Sequence, residues 1–265
     1  MTKENSLIHA KVLPGLLRFA IPVLAAMFLQ ALYGGADLLI VGQFASTGDV
    51  SGVSTGSMLL HVLTNLVVGL TMGVTVFVGQ KIGEQKPDEA GKAIGSAILL
   101  FSLMGIILSI FTVIFTKPLA ILLHAPPEAF AETCQYIRVC GAGLIFIVFY
   151  NLLGAIFRGI GDSKTPLITV CIACVINILA DLLFVAVFKM GAFGAALATV
   201  IAQGFSVLIS FFIIARKKLP FKFRKKYIRF DTFFVRIDPT FSSVCSTGTS
   251  AASPFPPSWH RRSAR

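Results

Sequence analysis

Long apolar runs separated by short polar punctuation fill the chain from residue 14 to residue 215. They lie near 14–42, 53–79, 94–116, 136–157, 166–188 and 191–215. Each reaches the roughly 20 residues that a helix needs to cross a bilayer core, and the longest would tilt or extend beyond it. None alternates with period 2, and all are far longer than barrel strands, which argues against a transmembrane β-barrel. The pattern predicts an all-α integral membrane protein, a six-helix transmembrane bundle. Lys3 and Lys11 precede the first run as they would in a signal peptide. Its apolar core is too long for one and further spans follow, so it reads as a retained helix.

Composition agrees. Hydrophobic residues make up 55% of the chain and charged residues 13%, against roughly 25% charged in a soluble domain, so a water-facing surface could not be covered. Charge placement sets the expected orientation. Lys3, Lys11 and Arg18 open span 1; Lys81, Lys86 and Lys92 follow span 2; Arg158 and Lys164 flank the turn after span 4. The alternate connections hold only Lys117 and Lys189. The positive-inside rule then puts both termini in the cytoplasm and the protein in the cell membrane.

The net charge of +11 is confined to one end. Before Arg216 the balance is +1, and from Arg216 onward it is +10. The excess begins with ARKKLPFKFRKKYIRF, directly after span 6, where a basic segment is drawn to anionic lipid headgroups. No nucleic-acid partner is therefore expected. The expected organisation is a cytoplasmic segment over 1–13, a transmembrane lobe over 14–216 and a basic juxtamembrane segment over 217–230. The remainder, 231–265, is rich in Ser, Thr, Pro and Arg, which predicts disorder.

Polar residues inside the spans carry the candidate chemistry. Asp37 sits in QALYGGADLLIVGQ of span 1, and Asp181 in NILADLLF of span 5 with Asn177 one turn before it on the same face. At ~1.5 Å per residue, Asp37, Asp181 and Thr199 of span 6 all fall some 12–14 Å from the outer edge, near mid-membrane. A carboxylate there costs several kcal/mol, about 2.5–3.5 on insertion scales. Burial disfavours its charged form, so it can take up and release a proton; it could equally hold Na⁺ with amide and hydroxyl oxygens completing the shell. The bland alternative is a pair of acids that only fixes helix packing. Asn151, in FYNLLGAIFRG, counts nearer the cytoplasmic end of span 4. Pro22 removes a backbone hydrogen bond from span 1 and makes either a static kink or a conformational hinge. The cysteines, including Cys171 and Cys174, lack a second ligand pair for zinc and read as inert thiols.

These stretches resemble the multidrug and toxic compound extrusion (MATE) family of secondary transporters. The resemblance runs from about Leu16 to Phe230, through AIPVLAAMFLQALYGGADLLIVG, GQKIGEQKPDEAGKA, FRGIGDSKTPL and NILADLLF. It implies one lobe of a twelve-helix exporter, with export of drugs or toxic organic compounds driven by H⁺ or Na⁺ and no other cofactor. It also implies that Asp37, Asn177, Asp181 and Thr199 form a cation site, with Asn151 nearby and Pro22 the bend in span 1. Gly34 departs from the pattern, since many relatives carry Asn there. A second lobe is expected soon after Phe230, whereas the residues from Asp231 resemble nothing in the family; a change of reading frame near Asp231 is the expectation. A missing second lobe, or another chain, would then be needed for transport.

Rival readings are weaker. GIGD at 159–162 matches one motif of intramembrane aspartyl proteases, but no Tyr-Asp pair accompanies it. Asp162 is expected to pair locally with Arg158 or Lys164, so no enzyme is expected. A lipid-linked oligosaccharide flippase would want several cations facing the cavity, and Arg138 is the one candidate within a span. An inactive relic or interaction protein is the third class.

Overall fold

A computed structural model describes residues 12–216. The expectations for the amino-terminal segment, the basic juxtamembrane segment and the tail lie outside the described residues. Within them the elements are α1 (Val12–Phe44), α2 (Thr47–Gly83), α3 (Pro87–Ile114), the short α4 (Thr116–Leu122) and a single 3-10 turn (Pro127–Ala129). They continue with α5 (Phe130–Ala142), α6 (Leu144–Gly159), α7 (Lys164–Asp181), a π-helical extension (Leu182–Val187) and α8 (Gly191–Arg216). Five helices, counting α7 with its extension as one, are long and apolar enough to cross a membrane, and α5 with α6 makes a sixth.

That sixth span departs from the sequence reading. Instead of one helix over 136–157, α5 and α6 meet at a bend of 52°. Gly143 sits at the join, and a Cβ there would overlap the side chain of Val200 on α8. The break frees backbone carbonyls, and Ser109 of α3 donates to two of them, Gly141 O at 2.8 Å and Ala142 O at 3.3 Å. Such rescue is what irregular backbone at membrane depth requires. The hydropathy of the segment gave no sign of it.

Helices α2 and α3 begin well before their apolar runs, for local reasons that hydropathy does not register. Ser46 caps α2 by accepting from Asp49 N at 3.1 Å, while Asp49 Oδ2 accepts from Ser46 N at 3.2 Å. Pro87 opens α3, with Asp88 and Glu89 in its first turn, favourable at the positive end of the helix dipole.

The bundle is organised around α2, which packs on α5 and α6, with α3 closing over α6 and α5. Helix α8 packs on α7, α5 and α6, through the buried alanines 192, 195, 196, 198 and 202. Small faces of this kind let helix backbones approach closely where lipid offers no hydrophobic drive. Helix α1 makes its main contact with α7 and leaves Leu17, Leu24, Phe28 and Leu39 exposed.

A polar clamp joins the starts of two helices. Asp49 Oδ1 accepts from Ala192 N at 2.8 Å, tying the start of α2 to the start of α8. Gly191 makes this approach possible: its φ is +55°, and a Cβ there would collide with the Asp49 carboxylate. Asp49→Ala removes the carboxylate half of the capping box and leaves the Ala192 amide unpaired, an expected loss of about 2 kcal/mol. Gly191→Val adds a left-handed β-branched residue to the same collision and is expected to cost at least as much, about 1–3 kcal/mol from the backbone alone. Both should lower the melting temperature of the detergent-solubilised protein, Gly191→Val without removing any hydrogen-bonding group.

Candidate functional site

Asp37 on α1 and Asp181 at the end of α7 are brought together inside the lobe. Exposure is 5% for Asp37 and 0% for both Asp181 and Asn177, so water does not screen the pair. The two carboxyls lie against each other. If both are ionised they have no proton to share, and Asp37 Oδ1 and both Asp181 oxygens lack a hydrogen-bond partner among the described residues. Asn177, one turn before Asp181, has neither its amide oxygen nor its amide nitrogen satisfied. Buried polar atoms are nearly always paired, and a buried, uncompensated charge costs several kcal/mol. A cluster of orphaned acid and amide atoms in one place is thus an arrangement suited to a proton or a hard cation.

Helix α8 closes the cluster. Thr199 is buried, as is Gln203 one turn further on, and the Tyr33 hydroxyl lies against both. Tyr33 is itself one turn before Asp37 on α1. The sequence reading missed Tyr33 and Gln203. The available signal was spacing: each stands four residues from a residue already singled out, on the same helical face.

The π-helical extension begins directly after Asp181, with Phe188 N donating to Leu183 O at 3.0 Å. The wider turn departs from the uninterrupted helix expected to Phe188. Inserted π turns frequently accompany functional positions in helices.

Asn151 has a backbone partner of its own. It is buried, its Nδ2 donates to Ile147 O at 2.8 Å, and it lines a cavity with Arg158 and Gln30. Pro22 lies within an unbroken α1, next to Val23 at the edge of the same cavity. Asp162 pairs locally at the start of α7. It caps α7, accepting from Lys164 N and Thr165 N at 3.1 Å each and from Thr165 Oγ1 at 2.6 Å. Arg138 is exposed on α5 and does not face the interior. Cys134, Cys140, Cys171 and Cys174 are free thiols.

A multi-pass helical lobe with acids buried near its centre is the architecture of a membrane transporter. The MatE family profile matches residues 22–183, and the chain belongs to that family, whose members are transporters and not enzymes. It is similar to the probable multidrug resistance protein YpnP of Bacillus subtilis, 36% identical over 109 residues that cover 40% of this chain and 24% of the relative. It is also similar to the multidrug export protein MepA of Staphylococcus saprophyticus, 23% identical over 220 residues, 83% of this chain and 49% of the relative. Among solved structures, a MOP superfamily transporter from Pyrococcus furiosus shares the fold with a TM-score of 0.80 at 23% identity, over 89% of this chain and 52% of that one. The chain therefore spans half or less of the length of these curated relatives.

Proposed function

We propose that this lobe is the ion-coupling half of an H⁺- or Na⁺-driven exporter of small organic compounds, with Asp37 and Asp181 as the coupling pair. The observation that carries the reading is the pair itself, two buried carboxyls in contact, with oxygens left unpartnered among the described residues. One proton bound between them would relieve the repulsion and bridge two of the orphaned oxygens, and one Na⁺ held by the carboxylates with Asn177 Oδ1 and Thr199 Oγ1 would engage the orphaned oxygens together. Either ion is a hard partner suited to an all-oxygen site.

Coupling then follows from electrostatics. The loaded site favours tight packing of α1 on α7, and the unloaded, like-charged site favours their separation. Pro22 supplies a point in α1 where that difference can become a bend. Alternating access needs a second repeat moving against the first around a midplane site, so a second six-helix lobe, covalent or separate, is the partner this mechanism requires. Both ends of the described lobe would face the cytoplasm, following the basic loops.

Infrared difference spectroscopy on the purified chain tests the site without a second lobe. A carboxylic acid C=O band should be present and should shift or vanish on adding Na⁺ or raising pH. Asp181→Asn and Asp37→Asn should each remove that response. A spectrum insensitive to Na⁺ and pH in the wild type would refute the coupling role.

A further inference from the structure

We propose that the cavity between α1, α6 and α7 is a phosphate-binding site built around Arg158, separate from the acid pair. The cavity has a volume of about 60 Å³, and its polar lining is Gln30, Tyr150, Asn151, Arg158, Ser163 and Thr169. One water needs only ~10–15 Å³ of such space, so a group of several heavy atoms fits. Helix α1 packs on α7 but makes little contact with α6, which leaves the crevice open between them.

Arg158 sets the chemistry. It lies in the last turn of α6, where a long cationic side chain ordinarily reaches out to the membrane interface. Here it folds the other way. A Cβ on Gly154, one turn deeper, would sit 3.3 Å from a guanidinium nitrogen, so the charged fork lies back along the helix into the crevice. No carboxylate lines the cavity, and none of the described residues forms a salt bridge with Arg158. A partly buried guanidinium without a counter-charge is costly, and an anion supplied from outside removes the cost.

The remaining donors indicate which anion. Thr169 Oγ1 is committed to Pro166 O at 2.9 Å, and Asn151 Nδ2 to Ile147 O. That leaves the Arg158 fork together with the Ser163 hydroxyl, the Tyr150 hydroxyl and the Gln30 amide. Four donor groups exceed what the two oxygens of a carboxylate use well. They suit a phosphate, which presents more acceptor oxygens and takes a guanidinium in bidentate fashion. The positive, acid-free lining repels organic cations and Na⁺, which sets this cavity apart from the site at Asp37 and Asp181.

The phosphate could belong to a lipid headgroup or be a free ion, and the test separates them. The purified full chain in neutral detergent is titrated with inorganic phosphate by calorimetry. In parallel it is incubated with phosphatidylglycerol or phosphatidylcholine, and retained lipid is counted by native mass spectrometry. Heat with inorganic phosphate assigns the free ion, and selective retention of phosphatidylglycerol assigns the headgroup. In either case Arg158→Gln should weaken binding about tenfold or more, and Arg158→Lys, a point charge without the fork, should weaken it less. Gly154→Val keeps the charge but crowds the guanidinium, so it should also weaken binding while helix content by circular dichroism is unchanged. It serves as the deciding variant if Arg158→Gln does not fold. No binding of either phosphate form by the wild type, or wild-type binding by the folded variants, overturns the proposal.

Discussion

Efflux driven by an ion gradient is expected to fall to the level of empty vesicles when Asp181→Asn is introduced into this lobe joined to a second six-helix lobe and reconstituted. Asp37→Asn should do the same. An amide has nearly the shape of the carboxyl it replaces, but it cannot exchange a proton at relevant pH or supply a full charge to Na⁺. Stability should move the opposite way. The wild-type lobe holds two acids in contact and nearly free of water. Replacing one with a neutral group relieves both desolvation and repulsion, by about 1–4 kcal/mol. The variants should therefore melt at or above the wild-type temperature while transport is lost. That divergence separates a coupling role from a packing role, because acids that served only to brace α1 against α7 would lose stability and transport together. Efflux at wild-type rates from both variants would remove the coupling site from consideration.

The largest loss of stability is expected from Gly56→Val. Gly52 and Gly56 form a G-x-x-x-G pair on α2, and α5 lies directly over them. A Cβ on Gly52 would fall 2.7 Å from Glu132 Cβ, and one on Gly56 would fall 2.5 Å from the Tyr136 ring. Helices meet this closely only where small residues remove the side-chain layer between backbones. The Tyr136 ring has little freedom to retreat, since it is buried and its hydroxyl receives a hydrogen bond from Ser57 Oγ at 3.1 Å. Valine must push α5 outward and break that bond. Overpacking of this kind costs about 1–3 kcal/mol, with roughly 1 kcal/mol more for the hydrogen bond. The chain should be recovered from membranes in low yield and as aggregate by size-exclusion chromatography. Gly69→Val, at a glycine of the same helix with open space around it, is the matched control and should behave as wild type. Equal recovery of the two variants would show that the α2–α5 contact is not tight.

Much of the lobe was legible in the sequence because a bilayer imposes two strong rules. Apolar length marks the spans, since an unpaired backbone cannot cross hydrocarbon. Acids within those spans stand out because each carries a penalty that packing alone seldom justifies. Asp37, Asp181 and Asn177 were accessible on that ground, and counting residues from the loops put Thr199 at the same depth.

Other features depend on contacts between distant segments and left no local trace. The glycine at the bend is required because Val200 of α8 occupies the space a side chain would need, and the exposed carbonyls there are tolerable because Ser109 of α3 reaches them. Neither Val200 nor Ser109 is distinctive in its own stretch of sequence. Arg158 illustrates the same limit. By position it is an ordinary basic residue flanking a loop, and only the direction of its side chain over Gly154 places it in a cavity. The sequence by itself determined which segments enter the membrane and which polar groups enter with them, because lipid tests each segment separately. The tertiary structure alone decided which of those groups meet, because a meeting is settled by the close approach of helices far apart in the chain, and no single segment records it.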